Sequence, residues 1–91
     1  MWDWDEAKRQ ANRAKHGVDF AQIDGFDWAS VVTREDTRGD YGERRFLSTG
    51  RIDGRLYVCV WTVRSGRLRL ISLRKANARE RAQHDRAEKL H

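Results

Sequence analysis

Five residues between positions 43 and 69, Glu43, Arg45, Arg64, Arg67 and Arg69, carry the clearest chemistry in the sequence. Guanidinium forks match phosphate oxygens, and a carboxylate set among them accepts a proton from a hydroxyl. Such a set suits attack of a hydroxyl on a phosphodiester without help from a metal. The same spacing also describes a solvated ladder of compensating charges at a strand end. His16 follows Lys15 at the end of a helical pattern, where the helix dipole favours the protonated imidazole and makes it an acid. Ordinary capping explains the same placement. Lys8, Lys15, Arg74, Lys75 and Arg79 describe a path for an RNA backbone, and Trp2, Trp4 and Tyr57 are aromatic enough to stack bases. Packing is the simpler role for Trp2 and Trp4. Glu35, Asp36 and Asp40 lack any recognised spacing of metal ligands, so the expected metal set is none.

These residues need elements to hold them. Asp3 with Glu6 forms a capping-box pattern, Ala7, Ala11 and Ala14 recur at helical spacing, and Gly17 stops the pattern, which predicts a helix over residues 4–16. Asp19 with Gln22, followed by Phe20 and Ile23 ahead of Gly25, predicts a second short helix. From Ser30 the period changes to two, with a short strand around Val32 and a mobile loop from Glu35 to Gly42. Residues 46–52, 55–64 and 67–74 read as strands joined by Asp53-Gly54 and Ser65-Gly66, both two-residue hairpin signals.

With those turns, Arg64 lies opposite Arg67 on one side and Glu43 on the other, and Thr62 lies opposite Arg69 and Arg45. Val60, Val58, Leu47, Ile71 and Leu73 then share a face that helices should cover, and Phe46, Trp61, Val63, Leu68 and Leu70 share the other. Asn77 with Glu80 caps a last helix in the charged segment 77–91. Its apolar positions Ala78, Ala82, Ala87 and Leu90 are small or far apart, so its order is expected to depend on a partner, and His84 and His91 carry no signal. The expected fold is α+β: a small antiparallel meander of three to four strands, two N-terminal helices on one face and a C-terminal helix.

The 91 residues bound one domain, 1–91, with a modest core. Nineteen Lys and Arg against 14 Asp and Glu give a net charge of +5, which favours polyanions or an acidic protein partner. Cys59 is the only cysteine, which excludes an internal disulfide and a Cys-based zinc site and fits a reducing cytoplasm. Acidic residues stand where a signal peptide needs basic and apolar ones, and the best apolar run, 56–63, is too short to span a bilayer, so no membrane partner is expected.

Trp4-Asp5-Glu6-Ala7-Lys8, Asn12, Lys15-His16-Gly17 and Phe20 together resemble the opening of the BrnT toxin family. Glu43-Arg44-Arg45-Phe46 with Gly50 is similar to the family's central strand, and Arg64, Gly66, Arg69, Ile71, Ser72, Arg74, Lys75 and Ala76 to its closing arginine-rich strand. The matches run from about Trp4 to Glu80, with Leu73 in place of a common alanine. The resemblance implies a toxin of a type II toxin-antitoxin module with a RelE-like ribonuclease fold that cuts RNA and arrests translation. It also implies a BrnA-type antitoxin with a ribbon-helix-helix part, through which alone operator DNA would be met. On that reading Glu43 is the base, Arg64 and Arg69 stabilise the phosphoryl charge, and His16 protonates the leaving oxygen. Lys8, Lys15, Arg45, Arg74, Lys75 and Arg79 hold RNA. The competing class is a non-catalytic nucleic-acid-binding or adaptor module using the same basic surface.

Overall fold

A computed structural model describes residues 2–89. Its elements are β1 (Trp2–Asp3), α1 (Glu6–His16), two 3₁₀ turns (Phe20–Gly25 and Trp28–Ser30), β2 (Val32–Glu35), β3 (Phe46–Ile52), β4 (Arg55–Arg64), β5 (Arg67–Lys75) and α2 (Ala78–Lys89). The sheet has five strands in the order β1-β5-β4-β3-β2. It is mixed, because β1 runs parallel to β5 while the other pairs are antiparallel. This corrects the expected three- to four-stranded antiparallel meander. The added strand β1 has two residues, too few to give a periodic signal.

Both hairpin turns form as expected. Asp53 and Gly54, and Ser65 and Gly66, all take positive φ, the left-handed pair that matches the twist of the flanking strands. The β3–β4 register follows the turn throughout, with Phe46 opposite Trp61 and Leu47 opposite Val60. The β4–β5 register follows it from Arg64/Arg67 to Trp61/Leu70 and then slips by one, so that Val60 pairs Ser72 and Cys59 pairs Leu73. Ile71 is the extra residue of a bulge on β5. Beyond the bulge every β5 side chain changes face, which moves Leu73 away from Val60 and Val58.

Leu73 therefore joins Leu70, Cys59, Tyr57 and Ile52 in the main core, closed by Val18, Phe20, Ile23 and Phe26. The N-terminal helical segments cover this face. The expected helix-covered face, Leu47, Val58 and Val60, forms a second, smaller cluster with Leu56 and Ala76, flanked by Ile71. Trp2 and Trp4 pack as core aromatics: Trp2 stacks on Trp28 at 5.7 Å between ring centroids and Trp4 meets Phe20 edge-on at 5.9 Å.

The cap of α1 is Asp5 rather than Asp3; its carboxylate accepts from Ala7 N at 2.8 Å and Lys8 N at 3.3 Å. Asp3 is free to serve in β1. Gly17, at φ 69°, ends the helix by donating to Arg13 O at 2.9 Å. Asn12 is buried and ties α1 to β5: its amide donates to Leu73 O at 2.7 Å and Val18 O at 3.0 Å, and its carbonyl accepts from Leu73 N at 3.2 Å.

Residues 35–42, expected as a mobile loop, are tied at their centre. Asp36, whose side chain is 2% exposed, accepts two hydrogen bonds at 2.8 Å from the Arg38 guanidinium and one at 3.4 Å from the Tyr41 hydroxyl. Arg38 holds its carboxyl down at about 2.

The charged C-terminal segment is helical over Ala78–Lys89, the helix α2 expected there. Asn77 and Glu80 make the reciprocal capping box, at 2.8 and 2.9 Å. Arg74 binds Glu80 with two bonds at 2.7 and 2.8 Å, Arg51 reaches Glu88 at 3.0 Å, and His84 is buried at 5% exposure. Polar anchors replace the apolar stripe that the sequence lacks. Leu90 and His91 lie outside the described residues. No helix among those described is long and apolar enough to cross a membrane.

Candidate active site on the arginine-rich sheet face

The turn at Ser65-Gly66 places Arg64 opposite Arg67, and the chain entering β3 brings Glu43 beside them. Arg64 Nε and Nη2 donate to the two Glu43 oxygens at 2.9 and 3.0 Å, a fork-to-carboxylate pair. Arg45 Nε adds a third bond at 3.2 Å, and its guanidinium lies 4.2 Å from the centre of the Tyr41 ring. Thr62, buried between these residues and opposite Arg69, donates to Arg44 O at 2.6 Å and so fixes the approach of the segment that carries Glu43.

Arg64, beside Glu43, holds this carboxyl down at about 2, with Arg45 adding to the effect. Glu43 is therefore ionised at neutral pH and is a weak base for as long as the pair is closed. The Glu43 side chain is 20% exposed and that of Arg64 47%, so an incoming anion has access to the guanidinium.

The remaining residues singled out in the sequence divide by position. Arg69 stands next to the cluster, opposite Thr62, but Nη1 donates to Asp3 Oδ2 at 2.9 Å across the β1–β5 pair. His16 does not join them. It lies one turn beyond Asn12, which meets Leu73, and feels the charge of Arg74. Arg74 pairs with Val58, six residues from Arg64 along β4, which is roughly 20 Å at ~3.3 Å per residue. Burial first, then Lys15 and Arg74, lower the His16 pKa, so the neutral imidazole is favoured over the imidazolium expected from the helix dipole.

Lys8 and Lys15 are exposed on α1, Lys75 pairs with Tyr57 on the main-core face, and Arg74 is committed to Glu80. Arg79 faces a groove beneath α2. The expected basic path is thus not one surface. Arg45, Arg74 and Arg79 share the face of Glu43 and Arg64, whereas Lys8, Lys15 and Lys75 do not.

Sequence reasoning missed Asp3, Thr62 as a positioning residue, Tyr41 and the Asp36–Arg38 pair. Asp3 matters through a parallel pairing no local pattern announces, and a buried carboxylate in a polar loop has no compositional mark. His84 was placed in a tail without signal; its spacing of four from Glu88 on the capped helix was the available clue. No group of three or more His, Cys, Asp and Glu among the described residues could hold a metal ion.

A small basic α+β protein with a guanidinium-lined sheet face and one carboxylate held among the arginines is the class these observations define. Residues 4–80 match the model of a family described as the ribonuclease toxin BrnT of type II toxin-antitoxin systems. The chain belongs to this family: it is a ribonuclease toxin of the type II toxin-antitoxin kind, whose counterpart is a protein antitoxin. No curated protein matches it.

Proposed function

We propose that this toxin is a metal-independent endoribonuclease of RelE-like kind that arrests translation by cutting RNA on the face carrying Glu43 and Arg64. The observation that supports this most is the closed Glu43–Arg64 pair with Arg45, Arg67 and Arg69 around it. A phosphate arriving at Arg64 competes with Glu43 for the guanidinium fork. Once Arg64 turns to the phosphate, Glu43 loses the partner that depresses its pKa and becomes a better base, next to the phosphate whose neighbouring 2′-hydroxyl it must deprotonate. That hydroxyl attacks the phosphorus, Arg64 and Arg69 meet the charge that develops on the phosphoryl oxygens, and the 5′-oxygen leaves. Arg69 takes part by exchanging Asp3 for the phosphate. His16, at the far end of β5, is assigned no proton transfer; the acid that protonates the leaving oxygen is then water.

The antitoxin is proposed to be of the BrnA type, with a ribbon-helix-helix part that meets operator DNA, and it neutralises the toxin by covering this face. The protein is proposed to act in the cytoplasm. Labelled RNA incubated in EDTA with the wild type and with a Glu43→Gln/Arg64→Ala variant tests the reading: wild-type cleavage with an inert variant is expected. Equal survival of RNA in both would leave a nucleic-acid-binding module in its place.

A further inference from the structure

Beneath α2 the smaller sheet face is not filled. A groove of about 530 Å³ opens between α2 and the strands β2 and β3, within the size range of sites that take small organic ligands. Its floor is Val32, Arg34, Leu47 and Thr49, and its roof is the α2 face bearing Arg79, Gln83 and His84. Arg34 and Arg79 make no ion pair among the described residues, although most arginines of this chain do. The carboxylate that lines the groove, Glu80, is already taken by both arms of Arg74 and by the Asn77 N–H. His84 is buried with Nε2 2.8 Å from Glu88 Oε1 but out of line for a hydrogen bond. The groove is therefore lined by two guanidiniums without an ion-pair contact among the described residues, side-chain amide and hydroxyl groups at Gln83 and Thr49, and an imidazole whose hydrogen bonding is incomplete.

This groove shares a face with the candidate active site. Leu47 in its floor pairs with Val60, and Arg64 lies four residues further along β4, about 13 Å at ~3.3 Å per residue. A few nucleotides of single-stranded RNA cover that distance. Building on the proposed function, we infer that the groove under α2 is a nucleotide subsite, in which Arg34 and Arg79 clamp a phosphate of the RNA away from the cleaved bond and Gln83 and Thr49 face its base. Two cations lining one concave site, with a polar wall and its lining carboxylate already bound by Arg74, fit an anionic nucleotide better than an apolar segment.

The probe is a short RNA oligonucleotide with 2′-O-methyl groups, which lacks the attacking hydroxyl and stays intact. Fluorescence anisotropy should show that Arg34→Ala/Arg79→Ala weakens its binding by more than about tenfold at low salt. The variant should also lower the salt slope of log K by about 1–2, with the wild-type circular dichroism spectrum retained. Amide shifts of the wild type on titration should include Thr49 and Gln83. Unchanged affinity of the variant, with shifts confined to residues around Glu43 and Arg64, overturns the subsite and leaves the proposed ribonuclease standing. Unchanged affinity together with loss of neutralisation by the antitoxin also overturns it and assigns the groove to protein contact. Failure of the wild type to bind the probe or cleave RNA overturns both readings.

Discussion

At the scale of single residues the structure separates charge that is used up from charge that is offered. Arg74, Arg9 and Arg38 are each bound by two hydrogen bonds to a carboxylate; the first two pairs fasten elements together and the third folds the β2–β3 loop on itself. Arg64 is also paired, but it is half exposed and its partner belongs to the candidate site. Arg64→Ala is expected to slow cleavage by about 10²-fold or more through lost transition-state stabilisation, while leaving folding stability nearly unchanged, as an exposed pair should. Single-turnover rates and a urea denaturation curve measure the two; a large loss of stability would make Arg64 a structural residue. Asp36 gives a test in pH. Its folded pKa, about 2, lies below the ordinary carboxylate value, so its stabilising contribution is complete above pH about 4 and is lost as pH falls through about 2. Nuclear magnetic resonance of the Tyr41 ring, whose hydroxyl donates to Asp36, should report release of residues 36–41 over that interval, and Asp36→Asn should give the released spectrum at neutral pH.

Among the elements, the join between α1 and β5 rests on one side chain. Asn12 supplies one donor and one acceptor to the Leu73 backbone, on the edge of β5 where the two-residue β1 pairs only Leu68 and Arg69, and a further donor to Val18 O. Asn12→Ala leaves buried backbone groups unpaired and is expected to cost about 3 kcal/mol, read as a fall in thermal midpoint. A shift within error would show that water replaces the amide. The hairpins and the Glu43–Arg64 contact were legible in the sequence because Asp53-Gly54 and Ser65-Gly66 fix the register on both sides of β4. The bulge at Ile71 was not, since Leu70, Ile71 and Ser72 suit a regular strand equally well and only packing of Leu70 and Leu73 into one core selects the slip. For the same reason Leu73 was assigned to the wrong face. His16 looked chemical from its neighbours alone; its distance from Arg64 depends on the direction α1 takes along β5, which no local pattern encodes.

For the molecule as a whole, the proposed RNA contact on one basic sheet face makes binding depend on salt. Binding through roughly three phosphates on a single strand should weaken about 20-fold between 50 and 200 mM salt, and filter binding across that range tests it; a flat response would remove the basic face from the reading. The two-residue strand β1 has a consequence in time. Asp3 reaches Arg69 across 66 residues of chain, and Trp2 pairs with Leu68. On a ribosome adding ~5–20 residues per second, those early residues wait roughly 3–13 s for the strand they must join. Throughout that interval Arg64, Arg67 and Arg69 have not yet been made or have not yet been folded, so the candidate site is assembled only when synthesis of the sheet is complete.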